Sequence, residues 1–354
     1  MHTFITILIA VLAFGFLIFI HEFGHYITAR IFHVTITEFS IGMGPRLFHY
    51  TSKKTGIKYS LAAFPIGGFV SMVGEDATTD EAQSDPNSFD KKPAWQRFII
   101  TAAGATVNIV AGFLAMILLT AFIDIGGTTV GEFLPPEETG YTVSTEAQGL
   151  REGDTILAVN GRSVRISDEL VYEVMRKGNQ PIDLVVLRDG EKITLEDVEF
   201  PTGVESGQTV GLTDFRVFAV EKTFGRVMQF SWRKSILIVR MVWESLFDLI
   251  TGRFTFEAVS GPVGITRAIG TAVDYGASTV IYMIVLISIN LGLMNLLPIP
   301  ALDGGRLLTL LFEIITKKRV PAKVEQIINT VGMVALLTLM GVVVVKDLVQ
   351  WIFL

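Results

Sequence analysis

The residues best suited to chemistry are His21-Glu22-Phe23-Gly24-His25. Two histidines at i and i+4 share one face of a helix about one turn apart, so both imidazoles can reach a single metal ion while the glutamate between them faces water. Hydrolysis is the chemistry this permits, with the metal as Lewis acid and Glu22 as the base that later returns its proton to the leaving amine. The competing reading is a plain pair of histidines at a membrane interface. Against it stands the cost of ionisable groups in an apolar helix, about 2.5 to 3.5 kcal/mol for one charged residue at mid-membrane.

A catalytic zinc takes three protein ligands and keeps a fourth position open. The chain has no cysteine and five histidines, and of the other three His2 is terminal while His33 and His49 lie in a loop. The third ligand is therefore expected in Asn295-Leu296-Leu297-Pro298-Ile299-Pro300-Ala301-Leu302-Asp303-Gly304-Gly305. Two prolines must break a helix there, which would present Asp303 on an unwound segment facing a cavity. A simple helix stop at the end of a span is the alternative. One Zn2+ per chain is expected on His21, His25 and Asp303. Asn295 and Asn290 are placed to bind unwound substrate backbone, or else to bond across helices.

The positioning elements follow from where the apolar residues fall. Of 354 residues, 50% are apolar and 18% charged, with mean hydropathy +0.52 and net charge -6. The balance excludes a disordered chain and gives no general case for nucleic-acid binding. Residues 4–29, 98–123, 279–297 and 331–354 are long enough to cross about 30 Å of hydrocarbon, the third around its break. The first lacks the basic flank and cleavage site of a signal peptide and reads as a retained span.

Orientation comes from the short loops. Residues 30–97 carry eight Lys/Arg and 306–323 carry five, which makes both cytoplasmic and puts the N-terminus, the region from 124 to about 276 and the C-terminus on the other side. A stretch near 232–250 places Arg240, Glu244 and Asp248 on one stripe, flanked by Trp232 and Trp243. It is expected to lie at the interface and not to cross. A crossing there would also invert the third span and part Asp303 from the histidines. Between 128 and 220, short apolar runs end in Asn160-Gly161 and Asp189-Gly190, which marks a small β-rich domain with tight hairpins.

Taken together, the chain resembles the site-2 protease family of intramembrane zinc metalloproteases, in its RseP/RasP type with a single PDZ domain, over essentially its whole length. The residues carrying the resemblance are His21 to His25 for HExxH and Asn295 to Gly305 for NxxPxPxxDGG. Others are Gly149 to Asp154 with Val159-Asn160-Gly161 for the PDZ signature, and Gly261-Pro262-Val263-Gly264-Ile265. The stretch from Ile41 through Phe64-Pro65-Ile66-Gly67-Gly68-Phe69-Val70 looks like the family's membrane-associated β-loop. One departure is Gly104-Ala105-Thr106-Val107-Asn108, where the family usually has a Gly-Pro pair.

The resemblance implies a polytopic α-helical membrane protein with four transmembrane helices, a membrane-associated β-hairpin loop and an inserted PDZ-like domain. The expected order is a first helix (1–29), a cytoplasmic loop (30–97, its β-loop about 37–75), a second helix (98–123) and a PDZ-like domain (124–221). A connector (222–276) holding the interfacial helix, a third segment (277–305), a cytoplasmic loop (306–327) and a fourth helix (328–354) complete it. The implied setting is a bacterial inner membrane. The implied substrates are single-span membrane proteins, such as an anti-sigma factor or remnant signal peptides, met by Asn290, Asn295, Pro65, Gly67 and Gly68. The PDZ-like domain would either bind a peptide C-terminus or act as a size filter admitting only substrates already shorn of their outer domains, the lipid bilayer is the other partner, and no nucleic acid is expected. Two alternatives stay open: a membrane-anchored zinc protease cutting soluble or misfolded proteins, and a non-enzymatic PDZ scaffold.

Overall fold

The computed structural model describes residues 2–75, 84–135, 140–205, 208–253 and 259–353. In chain order the elements are α1 (His2–Ile31), β1 (Ile36–Thr51), β2 (Lys58–Met72), α2 (Ala94–Phe122), β3 (Gly126–Phe133), β4 (Thr155–Val159), β5 (Arg162–Ser163) and α3 (Ser167–Lys177). They continue with β6 (Ile182–Arg188), β7 (Glu191–Val198), β8 (Thr202–Glu205), β9 (Gln208–Gly211) and β10 (Phe215–Ala219). The rest are helical: α4 (Phe224–Ile250), α5 (Pro262–Asp274), α6 (Ala277–Leu296), α7 (Asp303–Thr316) and α8 (Ala322–Phe353). Four of the described helices are long and apolar enough to cross a membrane, over Phe4–Ile31, Ala94–Phe122, Ala277–Leu296 and Lys323–Gln350. The chain divides into two compact units, Met1–Ala115 with Val242–Leu354, and Met116–Met241.

The first unit holds the helices and a curled sheet. β1 is bent at Gly42 and Gly44, both at positive φ, so its first half pairs on both sides, Phe39 with Val70 and with Tyr59, and Ile41 with Gly68 and with Leu61. The segment from Gly68 to Met72 therefore ends the sheet, its other edge unpaired in this sheet. A bidentate Arg46–Glu38 pair at 2.7 and 2.8 Å, with Ser60 also donating to Glu38, pins the bend. α1 and α2 touch backbone to backbone, since a Cβ on Gly24 would lie 2.6 Å from the Ala103 carbonyl oxygen. α2 runs unbroken through Ala105, so the missing proline leaves a regular helix there. α8 is tied to α5 by Asp347, whose carboxylate accepts from the N–H groups of Gly261 and Gly264, two of the orphan donors at the start of α5.

In the second unit a sheet of order β10-β3-β4-β6-β7, with β5 against β4, closes over α3 around Ile156, Leu170, Leu184 and Val186. Asn160-Gly161 and Asp189-Gly190 make the expected two-residue turns, all four residues at positive φ, joining Val159 to Arg162 and Arg188 to Glu191.

The charged face of α4, a helix expected to lie at a membrane interface, is engaged with protein in its first half: Arg233 meets Glu169 at 3.1 Å, Lys234 meets Asp168 at 2.7 Å, and Arg240 meets the fully buried Glu173 at 2.6 Å. Asp248, on the same stripe, is 2% exposed. Periodicity shows which residues share a face, and only the fold shows what that face meets. Residues 306–327, read as a loop, carry most of α7, whose amphipathic turns are too short to register as a span.

Candidate metal centre

α1 carries His21, Glu22 and His25 on successive turns, and the break between α6 and α7 brings Asp303 to them. After Leu296 the chain is extended at Leu297 and left-handed at Ala301 (φ 71°) before α7 begins at Asp303 itself. Asp303 thus sits in the first turn of a helix and not on unwound chain, where its charge suits the positive end of the helix dipole. The glycines that follow are needed for contact: a Cβ on Gly305 would lie 2.6 Å from the Ile299 carbonyl oxygen, and one on Gly304 would overlap that of Leu297.

His21 Nε2 and His25 Nε2 are 3.2 Å apart, and Asp303 Oδ2 lies 3.2 Å from the first and 3.4 Å from the second. That carboxylate oxygen is buried and has no hydrogen-bond partner among the described residues. Two imidazole nitrogens and an orphaned carboxylate oxygen converging on one point form the donor set of a catalytic zinc site, so these residues fit the ion. No other group of three or more such side chains is found among the described residues.

The three open onto a cavity of about 160 Å³ lined also by Glu22, Gly68, Phe69, Val70, Ile100, Thr101, Glu75 and Arg306. Of the residues expected to bind substrate, Gly68 lines this cavity and approaches Glu22 so closely that a Cβ would lie 2.9 Å from Glu22 Cγ. Gly67, at φ 81°, packs on Met43, and Pro65 precedes it in β2, with only its backbone described. Asn295 is half-buried and Asn290 exposed, and neither lines the cavity. Sequence reasoning missed Arg306, which bonds Glu75 at 2.5 Å on the cavity wall, and Asn108, which stands 3.3 Å from His21 Nδ1. Arg306 follows the Asp-Gly-Gly run directly, a usable signal. Asn108 had only the Gly104-to-Asn108 spacing.

Apolar crossing helices around a His-His-Asp cluster with a neighbouring glutamate define a membrane metallohydrolase. Comparison with known proteins narrows the class. Residues 9–339 match the family model described as peptidase family M50. A Clostridium acetobutylicum protein provisionally named a zinc metalloprotease is 34% identical over 351 residues, 98% of each chain. The regulator of sigma-W protease RasP of Bacillus subtilis is 28% identical over 427 residues, 99% of each chain, and the zinc metalloprotease RasP of Shouchella clausii is 28% identical over 423. The chain belongs to peptidase family M50, the site-2 proteases. It is a multi-pass membrane metalloprotease, and zinc is its cofactor.

Proposed function

We propose that this protein hydrolyses peptide bonds within or next to the transmembrane segments of single-span membrane proteins. The convergence of His21 Nε2, His25 Nε2 and Asp303 Oδ2 beside Glu22, with the histidines on a helix apolar enough to span and Asp303 shortly after the end of another, carries the reading. When bound by these three ligands, zinc supplies Lewis acidity that polarises a carbonyl and makes water more acidic. Glu22 takes the proton of the attacking water on its carboxylate and passes it to the leaving nitrogen.

A helical substrate must unwind first, because its peptide groups are shielded by their own hydrogen bonds. The unpaired edge of Gly68 to Met72 forms one wall of the cavity and offers backbone donors and acceptors to an extended segment, so we assign it the substrate strand, with Gly67 and Pro65 shaping its approach. Asn290 and Asn295 would meet the substrate outside the cavity. The second unit is read as a PDZ-like domain on the extracytoplasmic side, together with both termini, and the sheet of β1 and β2 as the membrane-associated loop on the cytoplasmic side. The sigma-W regulation in the Bacillus relative's name suggests an anti-sigma factor as one substrate, with remnant signal peptides a second.

The test is cleavage by the purified chain with zinc in liposomes, of one sequence presented as a membrane span and as a soluble peptide. Wild type should cut the embedded form, and Glu22→Gln should lose about 10²- to 10⁴-fold in rate. Equal cutting by both proteins would refute the role of Glu22. Preference for the soluble form would favour a membrane-anchored protease of soluble chains.

A further inference from the structure

Both imidazoles are held from behind by α2, through partners of different kinds. His25 Nδ1 lies 2.8 Å from the carbonyl oxygen of Ile100. A carbonyl can only accept, so Nδ1 carries the proton and Nε2 keeps its lone pair on the side of Asp303. That oxygen also serves the helix, and Gly104, one turn on, has no side chain to cover it. His21 Nδ1 lies 3.3 Å from Asn108 Nδ2, and an amide can meet a ring nitrogen with either end. Asn108 is fully buried, its backbone carbonyl accepts from Ser288 Oγ at 2.8 Å, and its side-chain Oδ1 has no hydrogen-bond partner among the described residues.

The end that Asn108 presents decides which His21 nitrogen can bind metal. With Nδ2 donating to Nδ1, the ring proton lies on Nε2, the atom that faces His25 and Asp303, and that tautomer cannot be a ligand there. A half-turn of the amide within the same volume sets Oδ1 against Nδ1–H and leaves Nε2 with its lone pair. We propose that Asn108 is a positioning residue of the metal site, its Oδ1 accepting from His21 Nδ1–H and so fixing the metal-binding tautomer. The inference rests on His21, His25 and Asp303 being the ligands. Ile100, Gly104 and Asn108 then form one stripe at i, i+4 and i+8, in which a carbonyl orients one imidazole, a bare backbone admits both, and an amide orients the other.

The experiment uses the full chain in detergent and reads two quantities, zinc affinity by competition with a chromophoric chelator and the melting temperature of the zinc-free protein. Asn108→Leu, of similar volume and without hydrogen bonds, should weaken zinc by roughly 10- to 100-fold with the zinc-free melting temperature unchanged. Asn108→Asp, which can only accept, should bind zinc at least as tightly as wild type. Leucine at wild-type affinity overturns the proposal, as does a lower zinc-free melting temperature at unchanged affinity, which marks a packing role. Should the aspartate variant fold poorly, the leucine variant alone decides. If Asp303→Ala binds zinc like wild type, the ligand assignment itself fails, a result distinguishable from failure of Asn108 alone.

Discussion

At the scale of single residues, the cluster is a problem of clearance as much as of donors. Two imidazoles and a carboxylate meet with no room to spare against α2, and a Cβ on Gly104 would overlap His25 Nε2 and lie 2.9 Å from His21 Cε1. Gly104→Ala is therefore expected to lose stoichiometric zinc and, with it, cleavage. Gly15→Ala, on α1 where a Cβ meets nothing within 4 Å, should keep both; elemental analysis of zinc per chain measures the contrast. His21, Glu22 and His25 were legible because a helix fixes the geometry of i and i+4, whatever surrounds it. Asp303 was legible because prolines state where a helix must stop. Asn108 and Arg306 were not, since their partners His21 and Glu75 lie 87 and 231 positions away, and no local period encodes such a pairing.

The elements divide in the same way. Turn chemistry at Asn160-Gly161 and Asp189-Gly190 was readable because only residues tolerant of positive φ serve such hairpins. The curl of β1 around β2 was not, for it depends on two glycine bends that pair one strand twice. Within the second unit, β4 and β6 are clamped by Asp154, to whose two carboxylate oxygens Arg188 donates at 2.7 Å while the Arg151 N–H adds a third bond. Burial pushes the Asp154 carboxyl up, yet these donors outweigh it and hold the group below the ordinary carboxylate range. A carboxyl depressed in the folded state stabilises above its unfolded pKa, near 4, and the contribution vanishes as pH falls through the lower folded value. Hydrogen exchange of the full chain should show β4 and β6 losing protection as pH falls below about 4. Arg188→Gln should move that loss upward in pH, and an unchanged acid profile in the variant would show that the clamp does not govern it.

For the whole molecule, the metal cluster constrains how the chain threads the bilayer. His21, in the last third of α1, meets Asp303, which opens α7 shortly after the C-terminal end of α6, so α1 and α6 run in the same sense and α2 alone must return the chain between them. A second crossing by α4 would reverse α6 and carry Asp303 to the opposite face. The pairing of the α4 stripe with α3 fits that requirement, because Arg233, Lys234 and Arg240 find their counter-charges in protein and none has to be carried through lipid. Joined to the basic bias of residues 30–97 and 306–323, this is the ground on which we propose the sheet of β1 and β2 for the cytoplasm and the second unit for the outside. Having no cysteine, the chain allows a direct test, with a single thiol placed at exposed Lys54 or exposed Glu196. A membrane-impermeant maleimide on intact cells should label Glu196→Cys at once and Lys54→Cys only after lysis. The reverse pattern would invert the orientation while leaving the parity argument whole, whereas labelling of both in intact cells would place the two positions on one side and require α2 not to cross.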